Sequence, residues 1–259
     1  LGANTTGTEN TAVGKGALDA NTTADFNTAL GNDSLGANTT GDGNTAVGRF
    51  SLLTNTTGHS NAALGRDALR ANTTAANNTA VGFQSLTANT TGADNAVLGS
   101  GALKTNTTGA QNTAIGRAAM QENTTASNNT AVGYAALIAN TTGEENTAVG
   151  QGALDANTTA DFNTALGKDA MGATTTGHSN TGIGRYSLLT NTTGDYNVAV
   201  GRDALRASTT SSNNTALGFA SLTANTSGTQ NVAVGALALD ANTTTSDSVA
   251  VGYAALSAA

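Results

Sequence analysis

The residues of this chain that could do chemistry are few and poorly spaced for it. The two histidines, His59 and His178, stand in equivalent positions of distant segments. No serine–histidine–aspartate set, no paired inward carboxylates and no zinc-ligand spacing can be assembled from the sequence. The run Gly99-Ser100-Gly101 is not followed by helical sequence, so it does not read as a phosphate cradle. Asp19, Asp155 and Asp240 lack the G-G-x-G-x-D nonapeptide of calcium-binding repeats. These absences lead us to expect no catalytic residue, no metal and no cofactor. Asn-Thr-Thr or Asn-Thr-Ser triplets at Asn4, Asn21, Asn55, Asn140 and Asn225 match the glycosylation acceptor. They recur too regularly for that, and read instead as part of a structural repeat. Lys15, Arg49, Arg66, Arg117, Lys168, Arg185 and Arg202 form an imperfect basic stripe. Asp67, Asp169 and Asp203 directly follow three of them, so the stripe reads as a solvated edge.

What must position these residues is a tandem repeat. Asn recurs at 10, 27, 44 and every seventeenth position up to 231, with Ser248 in the next slot. The consensus N-T-A-V-G-x-x-A-L-x-A-N-T-T-G-x-x defines columns one to seventeen. Column five is always Gly, column four always Val, Leu or Ile, column nine always Leu or Met, and column thirteen always Thr. Lys and Arg fall only in columns six and ten. All nine aromatics fall in columns six, seven and seventeen: Phe26, Phe50, Phe83, Tyr134, Phe162, Tyr186, Tyr196, Phe219 and Tyr253. Rings normally anchor a core. Their confinement to the variable corners implies an interior too narrow to hold one.

Composition agrees. The 259 residues include 32 Gly, no Pro, no Cys and no Trp, and only 10% are charged. Disorder goes with high charge and Pro, whereas here the aliphatics keep a strict schedule. Helical repeats need about 33 to 47 residues, and Asn-Thr-Thr-Gly is poor helix sequence. The net charge of −7 argues against a nucleic-acid partner. No apolar run is long enough for direct membrane insertion.

These features predict an all-β chain: a parallel β-solenoid, or β-roll, of about fifteen 17-residue turns, with two short strands per turn. The strands are expected at columns two to four and nine to fourteen. Alternation along them would point columns two, four, nine, eleven and thirteen inward. Gly in columns five and fifteen would take corners of positive φ. Asn in columns one and twelve would stack into amide ladders. A fully extended turn has a perimeter of about 56 Å, and fifteen turns would rise about 72 Å.

Two outward faces follow from that alternation. Column three, almost always Ala, is the candidate inter-chain face: Ala12, Ala29, Ala46, Ala63, Ala80, Ala114, Ala131 and Ala148. Columns twelve and fourteen form a candidate flat Asn/Thr face: Asn4 and Thr6, Asn21 and Thr23, Asn38 and Thr40, Asn55 and Thr57. A regular grid of this kind suits ordered water and ice.

The array spans 1–259 as a single domain in phase from Leu1 to Leu256, and no capping element is visible at either end. Within it an eight-repeat block is duplicated with an offset of 136. LDANTTADFNTALG occurs at Leu18 and at Leu154, and RDALRA at Arg66 and at Arg202.

At N-T-A-V-G-x-x-A, for instance Asn129 to Ala136, the sequence resembles the head repeats of trimeric autotransporter adhesins. It is similar also to the NTAVGxxAL…NTTG arrays of tail-fibre-like proteins. The adhesin repeats are shorter, whereas 17 is invariant here. The resemblance implies a left-handed β-roll, a homotrimer, and an extracellular, cell-surface or virion-fibre location. The first expectation is therefore a non-enzymatic structural and adhesive rod of an exported surface or fibre protein, with itself as partner and a host surface or matrix ligand at its corners. The alternatives are an ice-binding solenoid working through the Asn/Thr face, and a filament subunit stacking end to end.

Overall fold

A computed structural model describes residues 1–257. The chain is an all-β parallel solenoid in which every strand is three residues long and recurs once per 17-residue turn. It divides into two compact units. The first holds strands β1 (Thr11–Val13) to β7 (Thr113–Ile115), and the second β8 (Thr130–Val132) to β15 (Val249–Val251). Within each unit successive strands pair in parallel and in register, as Thr11 with Thr28, Ala12 with Ala29 and Val13 with Leu30. Columns therefore stack like on like.

Each turn supplies one strand, not two. Columns nine to fourteen form turns and bends, although their amides still bond to the next turn: Leu18 N–H to Ser34 O at 3.1 Å, and Thr22 N–H to Thr39 O at 3.2 Å. The reason is column nine. Leu18, Leu35 and Leu52 have φ of 48°, 49° and 49°, and the same holds along the column. A left-handed residue costs about 1–2 kcal/mol and cannot continue a strand. Burying each Leu, worth about 1.5–3 kcal/mol, offsets that cost. The backbone also accounts for a sequence rule. A β-branched residue tolerates this region worst, so column nine takes Leu or Met and never Val or Ile.

Strand parity is opposite to the expected one. Column three points inward: Ala29, Ala46 and Ala80 are completely buried. Columns two and four point outward. Asn of column one sets this parity. Asn44 Nδ2 lies inside, donating to Gly41 O at 3.1 Å, to Gly58 O at 2.9 Å and to Asn27 Oδ1 at 3.2 Å. With column one inward, a two-residue period places column three inward and column two outward. A small Ala is what fits opposite the fully buried Leu of column nine. Where column nine is Met171, the opposing residue of the next turn shrinks further, to Gly182. A Cβ there would lie 2.7 Å from Met171 Cγ.

Column five is a corner of positive φ, as expected. Gly48 has φ +128°, and a Cβ on it would lie 2.7 Å from the carbonyl carbon of Gly65 one turn on. Column fifteen is not such a corner. The remaining positive φ values fall in columns seven and seventeen, as at Phe50 and Phe26.

Candidate functional site

The interior is a stack of two amide ladders around a Leu–Ala core. In the first unit column twelve runs unbroken: Asn21 Nδ2 donates to Asn4 Oδ1 at 3.1 Å, Asn55 to Asn38 at 2.8 Å, Asn72 to Asn55 at 2.8 Å and Asn106 to Asn89 at 2.9 Å. Each Nδ2 also donates within its own turn, as Asn72 to Ala75 O at 3.0 Å. The candidate Asn/Thr face therefore splits. Asn21, Asn38 and Asn55 are buried and only Asn4, in the terminal turn, is exposed. Thr6, Thr23, Thr40 and Thr57 are exposed. Burial and engaged amides also close the triplets at Asn21, Asn55, Asn140 and Asn225 to glycosylation in the folded chain.

The candidate inter-chain face is corrected outright. Ala29, Ala46, Ala63, Ala80, Ala114, Ala131 and Ala148 are core residues, and Ala12, in the first strand, is half-buried. The sequence reading assumed that the larger aliphatics of column four take the inside. Exposure of apolar side chains is common enough that size alone does not decide the matter.

What the strands present to solvent instead is an in-register Thr-x-Val face. Column four stacks Val13, Leu30, Val47, Leu64, Val81, Leu98 and Ile115 in the first unit. Leu64 and Leu98 are about half exposed, at 49% and 50%. The second unit repeats the pattern with Leu166, Leu217 and Val251 exposed. Column two sets a parallel rank of threonines beside it, Thr11 against Thr28 and Thr28 against Thr45. Sequence reasoning missed this face. The signal was Asn in column one, two residues before Ala.

Each histidine lies in a corner of its own unit. His178 Nδ1 accepts the Asp161 backbone N–H at 3.0 Å, and the His178 backbone N–H donates to Asp195 Oδ1 at 2.7 Å. Other column-sixteen side chains likewise accept an amide of the preceding turn, as Asp42 Oδ1 does for Asp25 N–H at 2.7 Å. Asp155, in column ten, has its carboxyl pushed above the usual carboxylate range by burial and by Asp169. Among the described residues no group of three or more His, Cys, Asp or Glu side chains could hold a metal ion. No helix there is long and apolar enough to cross a membrane.

The aromatics occupy the corners, as expected from their columns; Phe26, Phe162 and Tyr196 are more than half exposed. The arginines beside them are half exposed, as a solvated edge should be, and also lie against rings. Arg49 lies over the Phe50 ring, 4.3 Å from its centroid, and Arg66 over Phe83 at 4.4 Å. The chain matches no protein-family model, and neither a curated protein nor a solved structure shows significant similarity to it.

Proposed function

We propose that this chain is a non-enzymatic structural and adhesive element of an exported surface or fibre protein, and that it works as a homotrimer. The observation that carries the reading is the column-four ladder, one outward aliphatic per turn beside a rank of threonines. Strands about 10 Å long, spaced about 4.8 Å apart, give the first unit a face of roughly 340 Å² from seven strands and the second roughly 380 Å² from eight. Contiguous apolar patches above a few hundred Å² mark association surfaces. Three such faces meeting on a rotation axis cover one another and close the assembly. The product is mechanical: stiffness along the coil, with variable corners left outward for contact.

Sedimentation equilibrium tests this. We expect the mass of three chains, and a monomer for Leu64→Lys with Leu98→Lys, with an unchanged far-ultraviolet spectrum because both side chains already face solvent. A wild-type monomer at micromolar concentration would overturn the reading.

A second reading has its own support. The in-register run Thr11, Thr28 and Thr45 of column two, and separately the exposed column Thr23, Thr40 and Thr57, are regular hydroxyl rows of the kind that orders water. An ice-binding solenoid would act as a monomer with thermal hysteresis, lost on replacing Thr28 and Thr45 by Lys.

A further inference from the structure

Six of the ten lysine and arginine residues sit in two matching networks, one in each unit. In the first, Arg49 and Arg70 both lie over Phe50, at 4.3 and 5.4 Å from the ring centroid. The Asp67 carboxylate bridges Arg66 at 3.3 Å and Arg70 at 3.8 Å, and Arg66 lies over Phe83 at 4.4 Å. The second network repeats each link. Arg185 and Arg206 lie over Tyr186 at 4.3 and 5.5 Å. Asp203 bridges Arg202 at 3.2 Å and Arg206 at 3.6 Å, and Arg202 lies over Phe219 at 4.5 Å. Only one residue type differs between them, Phe50 against Tyr186.

We propose that each network is a binding site for a carboxylated polysaccharide. Each carries three guanidinium groups and one carboxylate, so the two hold +4 between them. The rest of the chain is then at −11 within an overall −7. Positive charge is concentrated where the remaining surface repels an anion. A guanidinium lying over a ring has its face occupied, and its N–H edge is the part that grips a planar carboxylate with two parallel hydrogen bonds. Arg66, Arg70, Arg202 and Arg206 share that edge with Asp67 or Asp203, and Arg185 Nη2 donates to the Tyr186 hydroxyl at 2.8 Å. Asp67 restrains Arg66 and Arg70 without neutralising the set, which lowers the ordering cost of binding. Among the described residues Arg49 has no carboxylate partner. Phe83 and Phe219 remain 41% and 43% exposed, leaving apolar surface for the C–H face of a sugar ring. Arg49 and Arg66 occupy the same column on adjacent turns, about 4.8 Å apart along the coil. That spacing is comparable to the rise per sugar in an extended polyuronate. The site lies on a different column from the aliphatic face, so it does not depend on the trimer.

The test is calorimetric titration of the full chain with polygalacturonate at low ionic strength, with neutral amylose and duplex DNA as comparators. We expect saturable, salt-sensitive binding to polygalacturonate and none to amylose. Arg66→Gln should weaken binding at the first network about ten-fold, and Arg202→Gln should do the same at the second. Lys15→Gln with Lys104→Gln removes the same charge outside the networks and should change affinity by less than about two-fold. Phe83→Leu with Phe219→Leu keeps every charge and should still weaken binding. Equal weakening by the lysine pair, duplex DNA binding as tightly, or no saturable binding to polygalacturonate would each overturn the assignment. Thermal melts of every variant establish that the fold is retained.

Discussion

The two units are built from the same repeat, yet column twelve is continuous in one and interrupted in the other. In the first unit every position from Asn4 to Asn123 is Asn, and each amide donates to the one before. In the second, Thr174 and Ser208 break the run. The consequence is a set of orphaned acceptors: Asn157 Oδ1 and Asn191 Oδ1 are buried without a partner, as is Thr174 Oγ1. A hydroxyl is too short to reach the preceding amide. At Ser208 the neighbourhood has partly adjusted. Ser211 stands where the other turns carry Gly or Ala, Thr245 excepted, its hydroxyl 2.6 Å from Ser208 Oγ and accepting from Asn214 and Asn225. No such adjustment accompanies Thr174. The contrast shows what the ladder contributes, because the repeat tolerates a gap only by leaving polar groups unpaired or by changing a second residue.

The largest way to break the contrast is to impose a gap on the continuous ladder. Asn72→Ala would strip Asn55 Oδ1 of its donor, and would take one of two partners from Ala75 O and from the Asn89 amide. We expect a loss of about 3 kcal/mol, read as lower hydrogen-exchange protection in the first unit. Filling the existing gap should do the reverse. Thr174→Asn gives Asn157 Oδ1 its donor and removes an orphaned hydroxyl, so the second unit should gain about 1–2 kcal/mol. A thermal melt that moves down would contradict the ladder account.

The Met171–Gly182 pair offers a smaller test, again in the second unit. Gly182→Ala alone should destabilise by about 1–2 kcal/mol through overpacking. The same change combined with Met171→Leu should recover the Leu–Ala packing of other turns. Additive losses in that double-mutant cycle would show that the two positions are not coupled. The smallest effect concerns Asp155. Its folded pKa lies above the unfolded value of 3.8, so the native state holds the proton more tightly than the unfolded chain. Stability therefore falls as pH rises from 3.8 through the folded pKa, then levels off. Asp155→Asn should raise the melting temperature slightly at pH 7 and leave it unchanged at pH 3. An equal shift at both values would assign the effect to something other than ionisation.

Much of this could be read from the residues. The 17-residue period, the parallel stacking of like on like, the amide ladders at Asn21 and Asn44, the buried Leu18 column and the outward rings of Phe26 and Phe162 all follow from column composition. The candidate site was less legible. By sequence the Ala29 and Ala46 column reads as surface and Val47 and Leu64 as core, because aliphatic bulk masks the parity that Asn44 sets. The Arg66–Asp67–Arg70 network was visible only as charges that nearly cancel. Its geometry depends on which ring each guanidinium covers, and that involves neighbouring turns.

The sequence by itself determined that the chain winds once per seventeen residues and which residue types can stack without strain, since identical columns must tolerate identical neighbours at strand spacing. Tertiary structure alone decided which way each strand faces, that column nine turns left-handed and ends the hope of a second strand, and where the arginines settle. Those outcomes rest on competition between buried amides, Leu volume and backbone conformation across adjacent turns, and no single column records the result.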